Sequence, residues 1–429
     1  MFGTSGIRGP VGETVTAELS LRVGRALGAE TDRVVVGRDP RESGNVLVDA
    51  LTAGLRELGT DVVDLGVAAT PTVARSVEWE RADAGVVVTA SHNPPEDNGL
   101  KLWQASGQAY DTAGRERITE RIAADDGELQ RWDSLGERRT ADGTDRHVAA
   151  LTAGDDLDLS VAVDLGNGAG GVAVEALIEL GCDVETLNAQ PDGRFPGRPS
   201  EPTAENCVAL STLVAEGEYD LGIAHDGDAD RMRAVAGDGT YLEGDALLAL
   251  FAAEAAEEGE RVAVPVDTSL AVTDYLAERD VGVVRTPVGD VHVAEAATAP
   301  DVAFGGEPSG AWIWPEETLC PDGPLAAVRV AELAAAEPLE SRLEALPSYP
   351  IRRANVEVDE KEATMAAVAD AITATYDDVE TLDGVRVGTD DGWFLVRASG
   401  TQPLIRLTAE ARRADRAEEL LEIARGYVG

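Results

Sequence analysis

The chain has 429 residues, of which 80 are acidic and 36 basic, giving a formal net charge of −44. At roughly 100 to 200 residues per domain, this length predicts two to four domains, and the negative charge along the whole chain argues against binding to nucleic acid or to an anionic membrane. Lys101 and Lys361 are the only lysines. Diffuse acidity with arginine in place of lysine resembles proteins of halophiles, whose molar internal salt screens self-repulsion.

The cysteines and the N-terminus indicate the compartment. Cys182, Cys207 and Cys320 lie far apart without a CxxC pair, which argues against a zinc site and a disulfide framework. The start of the chain lacks the segments of an export signal, and no apolar run approaches about 18 residues. We therefore expect a cytoplasmic protein without a membrane span. The sequence leaves the oligomeric state open.

In chain order, short β-branched runs alternate with helical patterns, and this alternation occurs three times. It predicts β-α-β units with parallel sheets. The predicted strands are residues 33–39, 61–66 and 84–90, then 160–166, 183–188 and 220–225, then 261–267, 281–286 and 301–306.

The last part of the chain has a different pattern. From about Tyr349 it reads as strand, helix, a hairpin over 385–399, a strand over 404–411 and a helix over 414–428, an order that fits a smaller α+β domain. We therefore predict three similar mixed or parallel α/β domains plus a smaller C-terminal α+β domain around one cleft. The predicted domains are residues 1–145, 146–243, 244–346 and 347–429.

An unusual loop follows the third strand of each repeat, at the strand end where open α/β sheets gather their ligands. The first loop reads TASHNPPEDNG, residues 89–99, and places Ser91 beside His92. A serine next to a histidine indicates nucleophilic chemistry. The same residue types also make ordinary surface turns, so the loop alone leaves both interpretations open.

The second loop reads HDGDADR, residues 225–231, in which Asp226, Asp228 and Asp230 alternate. In an extended or looped backbone these carboxylates can converge on a hard cation such as Mg²⁺ or Ca²⁺. In so acidic a chain, similar triplets also arise by chance. An EF-hand is excluded because Arg231 stands where the sixth loop position needs glycine.

Two further segments carry polar groups suited to a sugar phosphate. The third loop, GEPSG at residues 306–310, offers Glu307 and Ser309 for vicinal hydroxyls. The segment RASGTQP, residues 397–403, can form an anion-binding nest beside a guanidinium, or it can be a hairpin turn with one surface arginine. Its candidate phosphate-binding residues are Arg397, Ser399, Gly400 and Thr401, with Arg406 nearby.

Three other enzyme classes fit the sequence poorly. Gly166, Gly168 and Gly171 spell GxGxxG after a strand, but Glu185 follows only about 14 residues later, short of the ~20 of a dinucleotide site. No GxSxG nucleophile elbow supports a serine hydrolase. A dehalogenase-type phosphatase loop would need glycine after its second aspartate, where this chain has Arg231.

Taken together, five segments resemble the α-D-phosphohexomutase family over nearly the full chain. They are FGTSGIRG at 2–9, TASHNPPEDNGLK at 89–101, DGDADR at 226–231, GEPSG at 306–310 and RASGTQP at 397–403. The resemblance implies an isomerase that interconverts hexose 6-phosphate and hexose 1-phosphate. It also implies a phosphoserine on the enzyme and a hexose 1,6-bisphosphate as intermediate and activator.

The resemblance also implies roles for single residues. Ser91 would carry the phosphate and, with Asp226, Asp228 and Asp230, bind one Mg²⁺ per chain. Glu307 and Ser309 would contact the sugar. The other implied residues are the charged groups near Ser91, namely Arg8, His92, Lys101 and Arg231, and the phosphate-binding residues Arg397, Ser399, Gly400, Thr401 and Arg406. Of these, His92 and Lys101 are the candidates for proton transfer.

Two positions depart from the family pattern. Ala311 replaces a histidine that many members carry, and Gln402 replaces a glutamate in the phosphate loop. The segments GEPSGAWIWP, LCPDG and VGDV look most like archaeal phosphoglucosamine mutases, which implies glucosamine 6-phosphate as substrate. Phosphoglucomutase or phosphomannomutase activity is the alternative, and a non-catalytic sugar-phosphate-binding protein is a remoter one.

We predict that turnover requires both moderate Mg²⁺ and molar KCl. The cation would neutralise charge during phosphoryl transfer, and salt would screen the net charge of −44. The measurement is the rate of mutase turnover across a grid of KCl and Mg²⁺ concentrations. Full turnover in EDTA at low salt contradicts the prediction.

Overall fold

The structure is a computed structural model that describes residues 3, 6–125, 127–399 and 404–429. The chain divides into two compact units. Unit 1 comprises Met1–Leu247 and Ser309–Arg342, and unit 2 comprises Leu248–Pro308 and Leu343–Gly429. No helix in the described ranges is both long and apolar enough to cross a bilayer.

The first part of unit 1 is a sheet between helices. Its elements are β1 (Ile7–Pro10), α1 (Ala17–Gly28), β2 (Arg33–Arg38), α2 (Gly44–Glu57), β3 (Asp61–Val67), α3 (Thr70–Trp79), β4 (Ala84–Val88), β5 (Asp97–Gln104), α4 (Thr112–Ala124), β6 (Arg138–Thr140) and α5 (Thr144–Leu151). The described strands have the order β1-β5-β4-β2-β3-β6. β4, β2, β3 and β6 are parallel, β5 is antiparallel to β4, and β1 is antiparallel to β5.

Both faces of this sheet are buried, as its unbroken valine runs predict. In β2, Val34 and Val36 pack in the core cluster that contains residues of α1 and α2. Val35 points to the opposite face and packs in a cluster with Val73 and Val77 of α3. The sheet is therefore fixed from both sides, and the loops at its strand ends start from rigid positions.

The second part of unit 1 repeats this arrangement. Its elements are β7 (Ser160–Asp164), α6 (Gly171–Glu179), β8 (Asp183–Leu187), α7 (Val208–Glu216), β9 (Leu221–His225), β10 (Met232–Ala236) and α8 (Gly244–Ala255), which continues into unit 2. The strand order is β10-β9-β7-β8, with β10 antiparallel to β9 and the others parallel.

Unit 2 contains the third repeat. Its elements are β11 (Arg261–Pro265), α9 (Leu270–Ala277), β12 (Gly282–Thr286), α10 (Asp290–Ala296) and β13 (Val302–Glu307). β11 pairs in parallel with β12 on one side and β13 on the other. The chain then returns to unit 1 for β14 (Ala311–Ile313) and α11 (Gly323–Ala336), and α12 (Leu339–Glu344) follows.

The C-terminal part of unit 2 is a smaller antiparallel sheet with two helices. Its elements are β15 (Ile351–Glu357), α13 (Lys361–Thr373), β16 (Val379–Glu380), β17 (Val385–Thr389), β18 (Gly392–Ala398), β19 (Leu404–Ala411) and α14 (Ala414–Val428). The strand order is β15-β19-β18-β17-β16. Val396, Leu407 and Leu420 belong to the apolar cluster between this sheet and its helices.

The predicted repeat is present in the structure. In each repeat the third parallel strand lies next to the first, and the first lies next to the second, giving β4-β2-β3, β9-β7-β8 and β13-β11-β12. The sequence did not indicate the return strands β5 and β10, which run antiparallel to β4 and β9. The loops that contain Ser91 and the three aspartates therefore connect antiparallel strand pairs.

Candidate active site

Ser91 lies in the loop between β4 and β5 and is 1% exposed. Its φ of 52° is in the left-handed region, which costs energy for a residue with a Cβ. Two hydrogen bonds fix it: the backbone N–H donates to Thr89 Oγ1 at 2.8 Å, and Oγ donates to Asp226 Oδ2 at 2.7 Å. The hydroxyl is therefore directed toward the aspartate loop.

Arg41 fixes the backbone of the Ser91 loop. Its guanidinium donates to the carbonyl oxygen of Ser91 at 2.9 Å and also to the carbonyls of Asn93, Pro94 and Asp97. Arg41 and its partner Asp39 are both 0% exposed, and Nε donates to Asp39 Oδ2 at 2.9 Å. A buried ion pair thus supplies the donors that an irregular buried backbone needs.

The three aspartates follow β9 and are all buried. Each offers one oxygen within 4.8 Å of the oxygens of the other two. Asp226 accepts from Ser91 on one oxygen and from the N–H of Arg231 at 3.2 Å on the other. The alternation in the sequence therefore produces the predicted convergence of Asp226, Asp228 and Asp230.

Lys101 and Thr70 contact one side of this group. Lys101, in the middle of β5, donates from Nζ to Asp228 Oδ2 at 2.7 Å and also to Asp230 Oδ2. Thr70 Oγ1 donates to the same Asp228 Oδ2 at 2.6 Å. Asp228 Oδ1 is buried and has no hydrogen-bond partner among the described residues.

The charges in this group perturb one another strongly. Burial raises the pKa of Asp226 well above its usual range, and the charges of Asp228 and Asp230 raise it further. Burial also acts to raise the pKa of Asp228, but Lys101 and Thr70 outweigh it and hold that pKa well below the usual range. Burial acts to lower the pKa of Lys101, and the two carboxylates it contacts raise it instead. Asp228 and Lys101 are therefore an ion pair.

The other predicted charged residues lie around Ser91. Burial is the largest cause that lowers the pKa of His92, to about 3, and the positive charges of Arg231 and Arg8 contribute to it. The imidazole is therefore neutral near pH 7, and its Nδ1 is buried without a hydrogen-bond partner in the described part of the chain. Arg8 lies in β1 opposite Gly99 of β5, and Arg231 contacts Glu201 at 3.5 Å.

The donor set fits a hard divalent cation. Three carboxylates converge, they supply only oxygen ligands, and one buried carboxylate oxygen of Asp228 lacks a partner among the described residues. Oxygen ligands in this number are those that Mg²⁺ takes in proteins together with phosphate oxygens. The residues present are therefore compatible with Mg²⁺.

Ser200 joins the Ser91 loop to the aspartate loop. Its hydroxyl donates to the carbonyl oxygen of Ser91 at 3.1 Å and accepts from the N–H of Gly227 at 2.9 Å. A Cβ on Gly227 would lie 2.8 Å from Ser200 Oγ, so only glycine allows this approach. The spacing between the two loops is therefore set by one buried hydroxyl.

The GxGxxG segment supports the aspartate loop. A Cβ on Gly166 would lie 2.7 Å from a nitrogen of Arg198, whose guanidinium donates to the carbonyl of His225 at 2.6 Å. A Cβ on Gly168 would lie 2.8 Å from the carbonyl oxygen of Asp226. Because these glycines have no side chain, neighbouring protein atoms can approach their backbone. The pattern therefore has a structural explanation that does not involve a dinucleotide.

The predicted sugar-binding residues lie on either side of the boundary between the units. Glu307 is the last residue of β13 in unit 2, and Ser309 is in unit 1. Ser309 Oγ is buried without a hydrogen-bond partner in the described ranges. Ala311, which replaces the family histidine, is 5% exposed and forms an isolated antiparallel β-bridge with Arg231.

The predicted phosphate-binding residues lie in unit 2. Arg397 of β18 pairs directly with Arg406 of β19, so the two side chains are on the same face of the sheet. Arg397 donates to Asp383 at 2.9 Å. Ser399 is buried, and its carbonyl oxygen accepts from Lys361 Nζ at 2.7 Å. Gly400 and Thr401 lie outside the described residues, as does Gln402.

Three residues of the site were absent from the sequence-based prediction: Arg41, Thr70 and Ser200. Arg41 and Thr70 follow the ends of β2 and β3, the same edge of the sheet as the Ser91 loop, so the rule on strand ends could have indicated them. No comparable signal marks Ser200, which lies in an irregular segment between β8 and α7.

Comparison with known proteins identifies the family. Models of phosphoglucomutase/phosphomannomutase alpha/beta/alpha domains I, II and III match residues 1–128, 145–239 and 243–349, and the model of the C-terminal domain matches residues 354–425. The chain belongs to the phosphoglucomutase/phosphomannomutase family. The predicted family and α/β fold class are thereby confirmed, and with them the enzyme class, an isomerase that moves a phosphoryl group within a sugar phosphate.

Full-length relatives agree with this assignment. A Methanopyrus kandleri protein named "Probable phosphoglucosamine mutase" is 46% identical, with 98% of this chain and 95% of the relative covered. A Methanothermobacter thermautotrophicus protein of the same name is 45% identical, with 100% and 97% covered. A crystal structure of a family member from Burkholderia thailandensis superimposes with a TM-score of 0.88 at 28% identity, covering 100% of this chain and 98% of the other.

We predict that Arg41→Met destabilises the enzyme by about 3–5 kcal/mol, because it leaves the buried charge of Asp39 uncompensated. The double variant Asp39→Asn/Arg41→Met should lose less stability than the sum of the single variants, since it contains no unpaired buried charge. Urea denaturation in molar KCl measures these differences. Strictly additive losses would show that the two side chains do not act as a pair.

Proposed function

We propose that this enzyme interconverts glucosamine 6-phosphate and glucosamine 1-phosphate through a phosphoserine at Ser91 and a hexose 1,6-bisphosphate intermediate. One observation carries the proposal: the buried Ser91 hydroxyl points at Asp226 beside two further carboxylates and a lysine. A loop held by four backbone contacts from Arg41 keeps that hydroxyl in place. This is the preorganisation that phosphoryl transfer requires.

In the transfer step, the phosphoryl group on Ser91 moves to the free hydroxyl of the bound sugar monophosphate. The bond from phosphorus to Ser91 Oγ breaks, a bond to the sugar oxygen forms, and the hydroxyl proton leaves. The resulting bisphosphate turns over, and its other phosphoryl group returns to Ser91 by the reverse chemistry. A single phosphoserine can thus serve both ends of the sugar.

We assign the surrounding charges to this step. Lys101 and Arg8 oppose the negative charge of the transferring group, and Arg231 does so from the aspartate loop. His92 and Lys101 are the candidates for proton transfer: the group that takes the proton of the sugar hydroxyl as the new bond to phosphorus forms returns it to the departing sugar oxygen in the second transfer.

Asp226, Asp228 and Asp230, together with the phosphate on Ser91, would hold one Mg²⁺. This cation supplies charge neutralisation to the phosphoryl oxygens during transfer. The support for the site is the set of converging oxygens and the buried Oδ1 of Asp228, which has no partner among the described residues.

The remaining predicted residues would bind the other groups of the substrate. Arg397 and Arg406 share a sheet face, and with Ser399, Gly400 and Thr401 they would hold the phosphate that is not transferred. Glu307 and Ser309 would contact the sugar hydroxyls. A fixed site for one phosphate would allow the sugar to bind in two orientations.

The choice of glucosamine rests on the relatives at 46% and 45% identity, whose names specify phosphoglucosamine mutase. The alternative substrates are glucose and mannose phosphates, which the family description and the name of the Burkholderia thailandensis structure support. We also propose the four domains 1–145, 146–243, 244–346 and 347–429, a cytoplasmic location and adaptation to molar salt.

The test is ³¹P NMR in molar KCl with Mg²⁺ and a trace of hexose 1,6-bisphosphate. Glucosamine, glucose and mannose 6-phosphates are supplied in separate tubes, and we expect the 1-phosphate resonance to grow fastest from glucosamine. Equal or faster conversion of glucose or mannose overturns the substrate assignment and leaves the mutase activity standing. No conversion in any tube supports a non-catalytic binding protein.

A pair of serine variants controls this experiment. Ser91→Ala should abolish conversion, because it removes the oxygen that carries the phosphate. Ser76→Ala is the matched control: Ser76 is equally buried, and its hydroxyl donates only within α3, to the carbonyl of Thr72 at 2.7 Å. Equal activity of both variants and the wild type would exclude a role for Ser91.

A further inference from the structure

Thr70 makes two hydrogen bonds to a single residue of the aspartate loop. It is the first residue of α3, it is 0% exposed, and its side chain donates from Oγ1 to Asp228 Oδ2 at 2.6 Å. Its backbone N–H, which has no partner within its own helix because it lies in the first turn, donates to the carbonyl oxygen of Asp228 at 2.8 Å. Thr70 therefore holds both the backbone and the carboxylate of Asp228.

These contacts leave the two oxygens of Asp228 in different states. Oδ2 accepts from Thr70 and from Lys101, at 2.6 and 2.7 Å. Oδ1 is buried and accepts no hydrogen bond from any described residue. A carboxylate fixed at one oxygen and at its own backbone cannot rotate freely, so Oδ1 keeps one direction.

We propose that Thr70 is a positioning residue that orients Asp228 as a ligand through Oδ1 for the divalent cation. The inference rests on the metal site of the proposed function. Partners in the outer shell of a metal site commonly fix ligand orientation in this way, and their removal weakens metal binding by about 10- to 100-fold.

Lys101 does not replace this function. Its ammonium lies at the end of a flexible chain and is shared between Asp228 and Asp230. The Thr70 hydroxyl instead lies at the start of α3, a rigid helix. Thr72, two residues later, links the same helix to His147. With Thr70→Val, the carboxylate of Asp228 would keep its charge partner and lose the donor that fixes its rotation.

Thr72 provides a matched control on the same helix. It is 1% exposed, and its hydroxyl contacts His147 Nδ1 at 2.8 Å rather than an aspartate of the loop. His147 in turn contacts Asp322 at 3.1 Å, so this threonine also belongs to a buried polar network. Thr72→Val therefore removes a comparable buried hydroxyl without touching Asp228.

The experiment is Mn²⁺ binding, measured by electron paramagnetic resonance and by calorimetry in molar KCl at one pH, with Mg²⁺ as competitor. We expect Thr70→Val to weaken Mn²⁺ binding by about 10-fold or more, Thr70→Ser to restore it, and Thr72→Val to bind as the wild type does. The Mg²⁺ concentration that gives half-maximal turnover should rise in parallel, with KM for the sugar phosphate unchanged. Thermal unfolding of both valine variants separates loss of stability from loss of affinity.

Several outcomes overturn the inference. If Thr70→Val binds Mn²⁺ as tightly as the wild type, or if Thr72→Val loses as much affinity as Thr70→Val, then Thr70 does not orient the ligand. Either result leaves the proposed metal site unchanged. Absence of Mn²⁺ binding to the wild type overturns the metal site and this role together. If Thr70→Val fails to fold, Thr70→Ala removes the same donor with a smaller side chain, and the same loss of affinity is expected.

Discussion

Mutual repulsion among three buried carboxylates is the constraint on which the candidate active site depends. Their oxygens converge within 4.8 Å, and a like charge at this range disfavours ionisation of its neighbours strongly in a dry interior. Lys101 offsets the charge on Asp228 and Asp230, while Asp226 has the Ser91 hydroxyl as its side-chain donor. Burial raises the pKa of Asp226 and the neighbouring carboxylates raise it further, whereas Lys101 and Thr70 outweigh burial at Asp228 and lower its pKa.

The fold meets this constraint by bringing loops together at the ends of strands. In unit 1 the Ser91 loop and the aspartate loop each connect a parallel strand to an antiparallel return strand, and the return strand β5 carries Lys101 to the aspartates. Buried donors then fix the loops: Arg41 holds the backbone of one, and Ser200 joins it to the other. Ser91 and the three aspartates thus lie on irregular backbone, and rigid strands and buried polar contacts hold that backbone in place.

Much of this arrangement could be predicted from the sequence. Valine-rich runs and helical patterns located the parallel strands of the three repeats, because hydrophobic periodicity depends on local sequence. The alternation of Asp226, Asp228 and Asp230 after an apolar strand predicted their convergence. The roles of Ser91 and Arg397 came from the resemblance to a family, and the chemical role of each remains a proposal.

Other parts could not be predicted, because they depend on contacts between distant segments. The Arg41 guanidinium donates hydrogen bonds to carbonyl groups at least fifty residues away in the sequence, and Thr70 contacts Asp228, which is 158 residues away. The spacing of the GxGxxG pattern argued against a dinucleotide site but could not give the structural reason for the glycines, which is the approach of Arg198 and of the Asp226 backbone. Return strand β5 was missed because its polar start, DNGLK, resembles the loop before it.

Mass spectrometry of phosphopeptides shows whether Ser91 carries the phosphoryl group during turnover. The enzyme is incubated with glucose 1,6-bisphosphate and Mg²⁺ in molar KCl, quenched in acid and digested. We expect phosphate on Ser91, and we expect this phosphate to be removed when sugar monophosphate is added before the quench. Phosphate on Thr89 or on another residue, or a phosphate on Ser91 that sugar monophosphate does not remove, would contradict this expectation.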